Sequence, residues 1–165
     1  MKSILKILTL ALTFLVLSCG GEEKKQESSK VKLKKQTIEK KAEAKTTKAS
    51  ETIDLTNKGV GPITSLTLPA EIDQTMATHG KDVFKKMCTA CHKAAKKFIG
   101  PAPKNILLRR TPEWIMNMIL NPDEMVQKDP LAKALLIEFN GSPMANQNLS
   151  EEDARAVLEY FRTLK

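Results

Sequence analysis

The sequence predicts an all-α domain of about four helices joined by loops, preceded by a long polar segment. Apolar residues recur at helical spacing in several separate windows, and no segment alternates between polar and apolar positions as a strand would. Asp, Thr or Ser stands where each helix should begin, twice followed directly by proline. Aromatic residues make up only 4% of the chain, so the protein offers modest material for a core of its own.

The first helix is expected over Gln74 to Cys88, with Asp73 or Thr75 near its start. Gly80 in its interior normally costs up to about 1 kcal/mol, and therefore predicts the close approach of another helix. The face that follows helical spacing consists of Met76, Gly80, Val83, Phe84 and Met87.

Three further helix starts follow. Thr111-Pro112 offers a capping hydroxyl and a proline in the first turn, and Asn121-Pro122 should end that helix. Asp129-Pro130 repeats the signal for a helix over 131–139. Ser150 with Asp153 forms a capping-box-like opening of the last helix. The apolar stripe of that helix is Ala154, Val157, Leu158, Phe161 and Leu164.

Residues 1–18 have the features of an export signal. Two lysines precede an apolar run, Ile7 to Leu17, that is too short for a stable membrane-spanning helix. The ending Val16-Leu17-Ser18-Cys19 resembles the bacterial lipoprotein signal, in which the cysteine becomes the lipidated first residue of the mature chain. The alternative is an ordinary cleaved signal with an incidental cysteine. Both predict export, and lipidation would anchor the protein to a membrane, facing the periplasm.

Residues 19–58 are expected to form a flexible, lipid-anchored linker, because their Lys, Glu, Thr and Ser-rich composition buries too little apolar surface to offset ordering entropy. The folded domain is expected over 59–165, beginning with an extended arm. The formal net charge is +8, and the basic excess is largest in the linker. No aromatic-interleaved basic surface or recognition motif suggests nucleic-acid binding.

Cys88-Thr89-Ala90-Cys91-His92 carries the functional signal. Two thiols at this spacing, with an imidazole directly after the second, form the arrangement that attaches a c-type haem. Each thiol can add to one vinyl group of the porphyrin, and His92 then becomes the proximal ligand of the iron. A redox dithiol or a structural zinc site is the alternative, but the first usually lies in a βαβ setting and the second needs about four ligands.

Residues 70–165 resemble a small class I cytochrome c. The resemblance rests on the haem motif after a first helix, on Gly100-Pro101, on Pro143-Met144 and on Tyr160 in the last helix. It implies a cytochrome c-like fold around one covalent haem c and its iron, with Gly80 at the crossing of the first and last helices. It also implies that the second ring nitrogen of His92 donates to the carbonyl of Pro101, and that Trp114 lies in the haem pocket.

The resemblance implies a methionine as the sixth iron ligand, which favours Fe(II). Met144, in a polar loop before the last helix, is the expected ligand. A methionine is more often core packing than a ligand, but Met125 lies in an expected loop over 123–125 and is therefore the rival. His79 is a weak candidate, because it neighbours Gly80 on the crossing helix.

A sequence of this kind is expected to act as a one-electron carrier of a respiratory chain. Its donor would be a quinol-oxidising complex, and its acceptor a terminal oxidase or a reductase such as nitrous oxide reductase. Residues 81–104 contain seven lysines against one acid, which predicts either a merely solvated surface or a docking surface for an acidic partner. The candidate docking residues are Lys85, Lys86, Lys93, Lys96 and Lys97.

Two other functional classes stay open from the residues alone. One is a haem-containing peroxidase or reductase subunit, and the other is a haem-based sensor of gas or redox state. Both require an open sixth coordination position, whereas a carrier with histidine and methionine on the iron offers no position to an external ligand.

Overall fold

The computed structural model describes residues 47–165. The predicted signal over 1–18, the lipidation site Cys19 and most of the predicted linker lie outside the described residues. The described part contains five α-helices, one 3₁₀ turn (Ile106–Leu108) and no strand. No helix in it is long and apolar enough to cross a bilayer. The helices are α1 (Gln74–Met87), α2 (Pro112–Leu120), α3 (Pro122–Lys128), α4 (Pro130–Glu138) and α5 (Glu151–Arg162).

Helices α1 and α5 form the main packing unit of the domain. Asp73 caps α1 by accepting a hydrogen bond from the Met76 N–H at 2.9 Å, and the Ser150 hydroxyl caps α5 in the same way. Gly80 is buried where the two helices cross. The rings of Phe84 and Tyr160 meet beside it, with centroids 5.5 Å apart. The predicted crossing of the first and last helices at Gly80 is therefore confirmed.

The prediction of about four helices was one short, because residues 122–128 form α3. The prediction of a loop around Met125 is therefore wrong. Pro122 ends α2, because a proline has no N–H to donate within a continuing helix. The first turn of a helix leaves its N–H groups unbonded, so Pro122 can also begin α3. Met125 is fully buried on this helix. Its sulfur accepts a hydrogen bond from the Val60 N–H at 3.0 Å.

An N-terminal arm, residues 47–73, runs along the helices as irregular chain. Buried Asn117 on α2 holds it by accepting from the Ile63 N–H at 2.9 Å and donating to the Lys58 and Ile63 carbonyls. Upstream, both the backbone N–H and the hydroxyl of Ser50 donate to Glu138 of α4. Packing against the helices therefore begins before residue 59, the expected boundary.

The end of the arm is fastened to α5 by a buried carboxylate. Glu159, 1% exposed, accepts a hydrogen bond from the Asp73 N–H and pairs with Arg155 and Arg162 at 2.6 Å each. Arg162 also donates to the carbonyls of residues 69–71. No buried side-chain nitrogen or oxygen in the described residues lacks a hydrogen-bond partner, so this ionic cluster is satisfied.

Candidate functional site

A largely apolar cavity lies among the helices, with walls from four stretches of chain. The end of α1 supplies the cysteine-histidine motif, and the segment after it supplies residues 99–103. Helix α2 contributes one wall, and α4 with the loop before α5 contributes another. The cavity therefore brings together side chains as far apart in the sequence as Ser50 and Phe161, which no local pattern could place.

The motif occupies a tight turn that continues from α1. Cys88 closes the helix by donating its N–H to the Phe84 carbonyl at 2.9 Å. The N–H groups of Cys91 and His92 both donate to the Cys88 carbonyl, at 3.1 and 2.9 Å. This turn places both thiols and the imidazole on the same cavity wall. Cys88 is half-buried and Cys91 is exposed, and both are free thiols.

Burial raises the pKa of the Cys88 thiol to about 11. The sulfur therefore stays protonated near neutral pH, where the nucleophilic thiolate form is scarce. Since the thiol of Cys88 faces an apolar cavity, it is suited to a hydrophobic reactant such as a porphyrin vinyl group rather than to exchange with thiols in solution.

His92 is fixed by two neighbours in the segment that follows it. Its Nδ1 hydrogen-bonds the Pro101 carbonyl oxygen at 2.8 Å, which leaves Nε2 as the nitrogen available to a metal. Gly100 packs closely against the imidazole ring of His92. A Cβ at position 100 would come within 2.9 Å of both ring nitrogens. The expected contact between His92 and Pro101 is present. The role of Gly100 was missed, because a Gly-Pro pair by itself indicates only a turn.

Met144 lines the cavity from the loop before α5, and it is half-buried there. Met87 and Met118 line it too, from α1 and α2. The rival Met125 does not, because its sulfur packs under Gly59 and bonds the arm instead. His79 lies on the surface, 2.7 Å from Asp153, and also stays outside the cavity.

Trp114 lines the cavity from the first turn of α2. Its indole N–H donates to Asp129 at 3.2 Å, and the guanidinium of Arg110 lies 5.2 Å from its ring centroid. Arg109 and Arg110 also line the cavity. They give its wall a positive charge, to which His92 would add only if its ring were protonated. Sequence reasoning assigned no structural role to either arginine.

Of the five candidate docking lysines, four are exposed and Lys93 is half-buried. Lys93 donates to the Thr89 carbonyl at 3.2 Å and its Nζ lies 4.8 Å from the Phe98 ring centroid. Lys97 Nζ lies 4.5 Å from the ring centroid of Phe139, a cavity residue. These two lysines are therefore already engaged by cation–π contacts. Phe98 and Ile99 beside them are about half exposed, which adds apolar surface to the basic region.

The residues present fit a covalently held haem. Two thiols, an imidazole with one free nitrogen and a thioether share one apolar cavity. Thiols form the covalent links, imidazole and thioether are the usual axial ligands of iron, and apolar walls suit a porphyrin.

The chain resembles known proteins over the part that builds this cavity. A family model described as cytochrome c matches residues 77–165. A solved cytochrome c from Rhodothermus marinus is 44% identical, over 63% of this chain and 89% of that one, with a TM-score of 0.61. An engineered form, Rma TDE, is 43% identical over 63% and 90% of the two chains, also with a TM-score of 0.61.

The engineered form has also been solved bound to a carbene intermediate, at 43% identity over 63% of this chain and 89% of that one, with a TM-score of 0.58. No curated protein matches the chain. The likeness to these solved structures covers sequence and fold together, and it agrees with the all-helical architecture of the described residues.

Proposed function

This chain belongs to the cytochrome c family, whose members transfer electrons through a covalently bound haem c, and from that premise we propose that it is a respiratory one-electron carrier with His92 and Met144 as axial ligands of the iron. One observation carries the proposal. The hydrogen bond from His92 Nδ1 to Pro101 leaves Nε2 for iron in a cavity that Met144 also lines.

Each part of the site has a defined task in such a carrier. Cys88 and Cys91 would hold the haem, which would supply the one-electron change between Fe(III) and Fe(II). The Pro101 carbonyl keeps the His92 ring oriented and raises its basicity as a ligand. A thioether from Met144 would favour Fe(II), while the apolar walls exclude water. If His92 and Met144 both bound the iron, no ligand position would remain for a substrate.

An open sixth position is the second candidate, and it would make the protein a peroxidase, a reductase subunit or a sensor. Two observations favour it. Met144 lies between exposed residues, Pro143 and Ala145, in a loop without helical hydrogen bonds. An engineered relative is described as binding a carbene intermediate. A methionine held this loosely could give way to an external ligand.

Carbon monoxide separates the two candidates. The reduced holoprotein, made in a host that attaches haem c, is titrated with the gas and followed by absorbance. A carrier shows no spectral change, and ready binding supports the peroxidase or sensor. In Met144→Ala the site should open, with carbon monoxide binding and a lower midpoint potential. Met118→Leu, which alters another cavity methionine, should retain the wild-type spectrum. An unchanged spectrum of Met144→Ala would exclude Met144 as the ligand.

We further propose that the protein is exported and anchored by lipid at Cys19, facing the periplasm. Its donor would be a quinol-oxidising complex and its acceptor a terminal oxidase or a reductase such as nitrous oxide reductase. The support is the lipoprotein-like signal and the basic surface around the haem motif. Labelling with a radioactive fatty acid tests the anchor. We expect the full chain to carry the label and the Cys19→Ser variant to carry none. Equal labelling of the two proteins would refute lipidation at Cys19.

A further inference from the structure

Among the described residues, Arg110 is a buried cation without a carboxylate partner. It is 3% exposed, and no Asp or Glu oxygen within residues 47–165 lies within 4.0 Å of it. Its side-chain hydrogen bonds all go to neutral carbonyls: Nη1 donates to Thr52 and to Arg109, and Nη2 donates to Ala49 at 2.6 Å. Since a buried charge is costly unless paired, the missing anion should come from whatever fills the neighbouring cavity.

The acids around Arg110 are occupied elsewhere. Asp54 accepts from Thr56 and Asn57, and Glu138 accepts twice from Ser50. Asp129 accepts from the Trp114 indole, the Ala132 N–H and the Asn57 amide. The other nearby charge is Arg109, which is a cation and donates to the carbonyls of residues 104 and 105. The three carboxylates therefore attract Arg110 only from a distance, because none of them hydrogen-bonds its guanidinium or lies within 4.0 Å of it.

The arm holds Arg110 in this position. Two of its guanidinium hydrogen bonds end on arm carbonyls, and Asp54 pairs with the Arg110 backbone in an isolated parallel bridge. The arm is fastened on both sides of that bridge, by Ser50 on Glu138 and by Asn57 on Asp129 at 2.6 Å. Ser50 also lines the cavity. These arm residues lie upstream of the part that matches the family, residues 77–165.

We propose that arm residues 49–57 and Arg110 form one carboxylate-binding site at the edge of the cavity, in which the arm aligns the buried guanidinium on a propionate of the haem. A haem c carries two propionate groups, and a guanidinium pairs with a carboxylate through two parallel hydrogen bonds. The inference rests on the haem that the family binds and not on the respiratory role. The arm thereby becomes part of the cofactor site, although it precedes the family domain.

The pH dependence of the midpoint potential tests the proposal in the full-length holoprotein. A propionate paired with Arg110 is held ionised, because an opposite charge favours its charged form. In Arg110→Gln the redox-linked ionisation of that propionate should move up by about 1 to 3 pH units. Arg110→Lys should restore part of the shift. Lys104→Gln removes the same charge from an exposed position outside the cavity, and its profile should match the wild type.

The arm needs its own variant, since Arg110→Gln could fail to fold. Ser50→Ala combined with Asn57→Ala releases the arm on both sides of the bridge and leaves every cavity charge in place. The pH profile should shift upward in this variant too, by less than in Arg110→Gln. Infrared difference spectra of reduced minus oxidised protein, with ¹³C-labelled propionates, should show a protonated carboxyl band in the variants at a pH where the wild type shows none.

Three outcomes would overturn the proposal. The first is an Arg110→Gln profile identical to that of Lys104→Gln, which would leave Arg110 a structural residue. The second is an arm variant with the wild-type profile and spectrum, which would remove the arm from the site. The third is a wild-type propionate band that already shows protonation near neutral pH. None of these results bears on carbon monoxide binding or on Met144, so the proposed function is tested separately.

Discussion

Gly80 lies directly against the backbone of Ala156, so that a β-carbon at position 80 would overlap the Ala156 carbonyl group and stand 2.8 Å from the Val157 nitrogen. Backbone atoms of a packed helix cannot move aside as the end of a flexible side chain can. The glycine therefore sets the distance between α1 and α5, and with it the position of the haem motif at the end of α1.

Gly80→Ala tests this role. In an ordinary helix this change stabilises by up to about 1 kcal/mol, but here the added methyl group overpacks the crossing and should destabilise by about 2 kcal/mol or more. Urea unfolding of the holoprotein, followed by circular dichroism, measures the change. Lys81→Ala on the exposed side of the same helix should stay within about 0.5 kcal/mol of wild type. A stabilised Gly80→Ala protein would contradict the tight crossing.

Gly100→Ala should act on the iron ligand rather than on the helices. A methyl group there collides with the His92 ring and weakens the hydrogen bond to Pro101. A less basic imidazole stabilises Fe(III) less, so the midpoint potential should rise, with a loss of stability of about 1–3 kcal/mol. Redox titration and urea unfolding measure the two effects.

Gly141→Ala is the matched control for that change. Gly141 has a φ of +70°, and nothing lies within 4 Å of the place where a β-carbon would stand, so alanine there strains only the backbone. It should cost about 1–2 kcal/mol of stability and leave the potential unchanged. If both variants shift the potential equally, the contact between Gly100 and His92 does not tune the iron.

Local signals in the sequence were sufficient for much of this domain. Asp73, Thr111, Asp129 and Ser150 each cap the helix that they were expected to begin, because a cap depends on residues within one turn. The contact from His92 to Pro101 followed from the family pattern. Helix α3 did not, because Pro122 serves as the stop of one helix and the start of the next.

The contacts of the arm were beyond sequence reasoning for a different reason. The arm around Ser50 has the composition of a polar linker, and its order depends on Glu138 and Arg110, which lie about 60 to 90 positions away. The burial of Met125 was not predictable for the same reason, because its sulfur accepts a hydrogen bond from the Val60 N–H, which is distant in the sequence. Non-local hydrogen bonds of this kind leave no periodic trace in the chain.

Glu113 should make the stability of the domain depend on pH. Burial alone would raise the pKa of this carboxyl, but hydrogen bonds from its own backbone N–H, from Lys58 and from the Leu66 N–H bring the pKa below its ordinary 4.5. A pKa that is lower in the folded state gives stability that is present above the unfolded value and is lost as pH falls through the folded one.

Glu113→Gln removes this ionisation. Near neutral pH the variant should be less stable by about 2 kcal/mol, because a buried charged hydrogen-bond acceptor is lost. The difference from wild type should shrink as the pH falls below about 4. Urea unfolding across this range measures it, with the exposed Glu152→Gln as control. A difference that stays constant with pH would show that the carboxylate charge does not contribute.

The basic surface of the haem region should steer anionic redox partners, and small oxidants can test this without a known partner. The rate of oxidation by hexacyanoferrate(III), an anion, should fall as salt rises, whereas that by a cationic cobalt(III) complex should not. Replacing Lys85, Lys86 and Lys96 by Gln should lower the rate with the anion several-fold at low salt. These three are exposed, while Lys93 and Lys97 already contact aromatic rings.

Removal of equal charge from elsewhere decides between steering and net charge. Changing Lys128, Lys133 and Lys165 to Gln takes three exposed charges from outside residues 81–104. The two triple variants are compared at 0.1 M salt, where screened charges act over only about 10 Å, and if the local surface guides the anion this control should reduce the rate much less. Equal losses in the two triple variants would mean that the lysines of the haem region are only solvated.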